Sequence, residues 1–167
     1  MSCIAGSWEN GEAIALTEKP TSTIPQVLIV EDFAAYRAFV TSLLKDRADL
    51  RVIGEEGDGL QAVERARDLK PDLILLDIGL PGINGIEAAR RILKVTPESK
   101  IIFLSQETSA DVVYEVLKLG AGGYVVKSQA GSELLVAIET VLRGERFVSH
   151  GLNGHASADT DTSEPTH

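Results

Sequence analysis

The chain is poor in several things, and each shortage excludes something. It has a single cysteine, Cys3, so no disulfide can form within it, and Cys3 is expected to be a loose thiol in a terminal tail. Aromatic residues make up only 5% of the sequence, so the core must be mostly aliphatic. No apolar run approaches the length needed to cross a bilayer. The N-terminus lacks the basic and long apolar segments of a secretion signal, so a cytoplasmic location and a reducing compartment are expected. Positive charge is also scarce: the formal net charge is -9 and no Lys/Arg run occurs. A nucleic-acid partner or an anionic membrane surface is therefore not expected, whereas divalent cations and basic proteins suit the chain better.

What remains is enough for one globular domain between two polar ends. Residues 1–24 read as a flexible N-terminal tail, 25–149 as the folded domain and 150–167 as a disordered C-terminal tail rich in Ser, Thr, Asp and Gly. Between the tails, short apolar runs alternate with stretches of helical period. VLIV (27–30), LILL (73–76), IIFL (101–104) and YVV (124–126) are continuous and mostly aliphatic, and RVIGEE (51–56) is a weaker fifth run. Continuous apolar strands suit a parallel sheet covered on both faces. Tyr36, Val40, Leu43 and Leu44 carry helical spacing, as do Leu134, Ile138, Val141 and Leu142. Val112, Val113, Val116 and Leu117 form a third stripe, expected to be mainly core. The predicted fold is α/β: five strand–helix units, (βα)5, forming a doubly wound, five-stranded parallel sheet.

In such a sheet, ligands bind beyond the carboxyl ends of the strands. Glu31 and Asp32 follow VLIV, Asp77 follows LILL, Ser105 follows IIFL and Lys127 follows YVV. Three carboxylates meeting at one edge repel one another unless a proton or cation intervenes. Mg²⁺ fits such a cluster, because it takes few carboxylates and keeps waters and phosphate oxygens in its shell. An Asp carboxylate can act as a nucleophile toward phosphorus, and a Lys and a Ser hydroxyl can then contact the remaining phosphoryl oxygens. His150, His155 and His167 lack metal-ligand spacing, and no role is expected for them.

The stretch LILLDIGLPGINGIEAAR resembles the phosphorylation segment of response-regulator receiver domains of two-component systems. The acidic pair, Ser105 and the segment GAGGYVVKS follow in that family's order, and GYVVKS with LRGERFVS is most similar to its NarL/FixJ branch. The resemblance covers about residues 26–149 and implies that the parallel sheet is of flavodoxin/CheY-like type. It implies that Asp77 accepts a phosphoryl group from a sensor histidine kinase or phosphotransfer protein. It implies Mg²⁺ held by Asp32, Asp77 and the main-chain carbonyl of Gly79, with Glu31 assisting through water. Ser105 and Lys127 would hold the phosphoryl group, and Tyr124 would change rotamer as Ser105 moves. The surface around helix 109–118, strand 122–126 and helix 130–143 would then change its partner preference, with homodimerisation on phosphorylation as one outcome and a downstream protein that the sequence does not name.

Three departures from the family pattern stand out. The acidic pair is Glu-Asp where Asp-Asp is commoner. Gln106 follows Ser105 where the family usually has a small residue, which leaves a phosphorylation-independent scaffolding receiver as an alternative. NarL/FixJ-type chains usually continue into a helix-turn-helix domain, whereas only 17 residues follow His150, so no recognition helix can be placed: either the output is protein contact or the sequence is a piece of a longer chain. The chain is not expected to be an enzyme beyond autocatalytic phosphoryl acceptance and hydrolysis. A phosphatase of the haloacid-dehalogenase type would need an acid two residues after the nucleophile, where Gly79 stands. A flavodoxin would need an uncharged phosphate loop where this chain has EDFAAY.

Overall fold

A computed structural model describes residues 24–152. Most of both expected tails, with Cys3, His155 and His167, lies outside the described residues. The elements alternate: β1 (Gln26–Val30), α1 (Ala34–Lys45), β2 (Arg51–Glu56), α2 (Gly59–Leu69), β3 (Leu73–Asp77) and α3 (Gly85–Val95). Then come β4 (Lys100–Ser105), α4 (Ala110–Leu119), β5 (Gly123–Val126), a 3₁₀ turn (Lys127–Gln129), α5 (Ala130–Leu142) and β6 (Phe147–Val148). The sheet order is β2-β1-β3-β4-β5-β6, and every neighbouring pair is parallel.

The continuous apolar runs are the strands buried on both faces, as a parallel sheet requires. Side chains alternate between two cores. Leu28, Val30, Ile74, Leu76, Ile101, Phe103 and Tyr124 pack on the face covered by α2, α3 and α4. Val27, Ile29, Leu73, Leu75, Ile102, Leu104 and Val125 pack on the face covered by α1 and α5. The weak run RVIGEE is an edge strand, only partly buried, which explains its mixed composition.

Local signals fix the helix ends. Asp58 caps α2, its Oδ1 accepting from Leu60 N at 2.8 Å and Gln61 N at 3.0 Å. Asn84 caps α3 through Glu87 N at 2.9 Å. Lys70 closes α2 in the left-handed region (φ 45) just before Pro71, and Gly120 closes α4 at φ 121. α4, β5 and α5 each lie within a residue of the bounds expected from sequence.

One element was not expected. The sheet has six strands, not five, because the chain returns after α5 to pair with β5. Phe147 N bonds Gly122 O at 3.2 Å and Ser149 N bonds Tyr124 O at 2.9 Å. Two residues are too few to show an alternating pattern. The packed body runs on to Leu152, which is buried against the α4-side core.

Candidate functional site

Strand order reverses between β1 and β3, and the crevice beyond their carboxyl ends is where an open α/β sheet binds ligands. A cleft of about 480 Å³ opens there. It is lined by Glu31 and Asp32 just after β1, Asp77 at the end of β3, Ile78 and Gly79 from the following loop, Ser105 at the end of β4 with Gln106 and Glu107 after it, and Lys127 after β5. All five side chains that the sequence singles out as polar strand ends therefore meet in one place.

The cleft is a charge cluster with a cation in it. Carboxylate oxygens of Glu31, Asp32 and Asp77 all lie within 4.8 Å of one another. Lys127 Nζ sits 2.7 Å from Glu31 Oε1 and 3.4 Å from Asp77 Oδ1. Glu31 is fully buried, its Oε2 accepts from Phe33 N at 3.0 Å, and Oε1 has the Lys127 ammonium as its close neighbour. Asp32 is exposed at the rim. Asp77 retains 9% side-chain exposure, enough to face the cleft while its Oδ1 accepts from Gly79 N at 3.3 Å. The loop that leaves Asp77 is held by Gly85 N to Ile78 O at 2.6 Å.

A second group of contacts leads away from the cleft. Ser105 Oγ accepts from Glu107 N at 3.0 Å. The Tyr124 hydroxyl donates to Glu107 O at 2.6 Å, and burial pushes that hydroxyl above the usual tyrosine range although nearby Ser105 pulls it down. Gln106 is exposed on the cleft wall beside Ser105.

Tyr36 is the site residue that sequence reasoning missed. On α1 it reads as one member of a core stripe. Helical side chains lean toward the N-terminus, so a residue one turn into α1 reaches back to the strand end that precedes it. Its ring lies 4.8 Å from Lys127 Nζ and its hydroxyl donates to Lys127 O at 3.0 Å. Burial first, then Glu31 and Asp77, pushes that hydroxyl up to about 12, so it remains a donor.

Over residues 27–139 the chain matches the model of the response regulator receiver domain. It belongs to that family. The receiver is 35% identical over 124 residues to the response regulator GacA of Pseudomonas viridiflava, a match covering 74% of this chain and 58% of that protein. It is 37% identical over 123 residues to the response regulator UvrY of Escherichia coli K12, covering 74% and 56%. The chain thus spans less than two thirds of the length of these relatives. A crystal structure of a LuxR-family two-component response regulator from Aurantimonas sp. SI85-9A1 superposes with a TM-score of 0.77 at 28% identity, covering 83% of this chain and 99% of that one. The fold is the CheY-like one expected, and among the described residues no helix is long and apolar enough to cross a membrane.

The donor set of the receiver's acidic cluster fits a hard divalent ion. Three carboxylates converge, and burial followed by the Glu31 carboxylate holds the Asp77 carboxyl above the ordinary aspartate range, with Lys127 opposing incompletely. This shift has a stability consequence with a definite sign. Between the ordinary value and the raised one, folded Asp77 keeps a proton that the unfolded chain has released. Stability therefore falls as pH rises through that window, and the ionised carboxylate remains unfavourable at neutral pH. Asp77→Asn is expected to raise the urea midpoint at neutral pH, with the gain vanishing below about pH 4. Equal gains at both pH values would contradict this.

Proposed function

We propose that Asp77 is the phospho-acceptor of this receiver, charged by a sensor histidine kinase or phosphotransfer protein. The observation that carries this reading is the pairing of a cleft-facing carboxylate with Lys127 Nζ 3.4 Å away, inside a cluster of acidic oxygens. In the step, an Asp77 carboxylate oxygen bonds to phosphorus as the donor's P–O or P–N bond breaks, and the donor leaves with the electron pair. Lys127 exchanges its contact with Asp77 for one with the transferred group. Asp32, Asp77 and the Gly79 carbonyl are the groups to hold Mg²⁺, with Glu31 assisting through water. When bound, the ion neutralises charge on the phosphoryl oxygens.

Ser105 supplies the second phosphoryl contact. If the side chain turns toward the phosphoryl group to donate, the bond that Ser105 Oγ accepts from Glu107 N breaks, which frees the loop whose carbonyl holds the Tyr124 hydroxyl. That chain of contacts supports a switch carried by Ser105 and Tyr124.

The test is direct. Incubation with a small acyl phosphate and Mg²⁺ is expected to add one phosphoryl group that is stable in acid and labile in base, as intact mass shows. Asp77→Asn should abolish it. An adduct that persists in Asp77→Asn, or none in the parent, overturns the assignment.

A further inference from the structure

Lys127 carries a long, flexible stem, and its ammonium is drawn by two carboxylates at unequal distance, 2.7 Å to Glu31 and 3.4 Å to Asp77. A third group, Tyr36, grips Lys127 at both ends. The Tyr36 ring stands 4.8 Å from Nζ, and the Tyr36 hydroxyl bonds the Lys127 carbonyl at 3.0 Å, where the backbone turns into the 3₁₀ segment. Tyr36 is itself braced by Phe39, ring centroids 5.4 Å apart and tilted 51°.

We propose that Tyr36 is a positioning residue for phosphoryl acceptance, holding the Lys127 ammonium at the mouth of the cleft through its ring face and fixing the Lys127 backbone through its hydroxyl. The inference rests on Asp77 being the acceptor. A ring face suits this task because it attracts a cation without carrying a net charge. It therefore helps hold the ammonium beside the two carboxylates and does not repel an incoming phosphoryl group as a further acid would. The hydroxyl adds direction: tied to the main chain, the ring cannot swing aside without breaking a hydrogen bond.

The experiment follows the rate of Asp77 adduct formation in the full chain, with a small acyl phosphate and Mg²⁺ read by intact mass. Tyr36→Leu is expected to slow acceptance roughly tenfold, with Tyr36→Phe and Tyr36→Trp recovering most of the loss. Phenylalanines fluorinated step by step at position 36 keep the ring's shape and weaken its negative face. Their rates should fall stepwise toward that of Tyr36→Leu while their urea midpoints stay at the Tyr36→Phe value. Because the fluorinated rings preserve packing, the series decides the matter even if Tyr36→Leu fails to fold. A flat series in protein whose Asp77 adduct forms normally overturns the role of Tyr36 and leaves the acceptor reading intact. No adduct in the parent removes the acceptor reading, and the role of Tyr36 with it.

Discussion

Gly85→Ala is expected to destabilise the receiver by about 3 kcal/mol or more, read as a fall in urea midpoint. Gly85 opens α3, and its N–H bonds Ile78 O at 2.6 Å. A Cβ added there would lie 2.0 Å from Asp77 O, 2.7 Å from Ile78 Cα and 2.9 Å from Asp77 C. All three are backbone atoms of the strand end that presents Asp77, so no side chain can turn away to make room. Two effects oppose each other. Alanine is the better helix former by about 1 kcal/mol, but overpacking costs about 1–3 kcal/mol where neighbours can adjust and about 4 kcal/mol or more where, as here, only backbone is met. The collision wins, and relief requires α3 to move off β3 and carry the Asp77 loop with it. The control is Gly79→Ala, two residues past Asp77. There a Cβ meets nothing within 4 Å, and the stability is expected to change by less than about 0.5 kcal/mol. A parent-like Gly85→Ala protein would mean that the α3–β3 contact is far softer than its distances indicate.

Removing the cation from the cleft should be nearly as damaging. Lys127→Met is expected to cost about 3 kcal/mol, the low end for breaking a buried pair, because the Lys127 side chain keeps 12% exposure while Glu31 keeps 1%. The loss comes from what is left behind: a buried Glu31 carboxylate beside Asp77 with no positive charge between them. Two further measurements separate this from lost packing. Replacing both members, as Glu31→Gln with Lys127→Met, should recover most of the stability, because neither charge then remains unpaired. Millimolar Mg²⁺ should raise the thermal midpoint of Lys127→Met more than that of the parent, since the ion can neutralise the same oxygens and bind only the folded state. If the double variant is as unstable as Lys127→Met alone, electrostatics at the cleft is not what the lysine supplies.

The parts of the site that could be read from the chain share one property. Asp77, Ser105 and Lys127 each end a continuous aliphatic run, so the change from apolar to polar by itself marks a strand's carboxyl end. Tyr36 carries no such mark. Its spacing with Val40 and Leu44 satisfies helical core periodicity, and only the backward lean of helical side chains takes it to Lys127. The close approach at Gly85 is equally silent, since a glycine after Asn84 reads as an ordinary turn. The final strand was missed for a different reason. Phe147 and Val148 follow charged residues and precede a polar end, so their pairing is decided by the edge of β5 and not by any local preference.

That short final strand also determines where the molecule can be cut. The family match ends at residue 139, inside α5 and upstream of everything that lines the outer margin of β5. Beyond it, Ser149 Oγ accepts from Val126 N at 2.8 Å and donates to Glu133 Oε1 at 2.6 Å, while Glu133 Oε2 takes His150 N at 3.0 Å. Leu152 and Val148 join the core that contains Tyr124. An excised fragment drawn to the family boundary would bare a row of unpaired amides and carbonyls on β5, an invitation to foreign strands. It would also strip the cover from one flank of Tyr124. A usable minimal fragment has to keep the chain through Leu152.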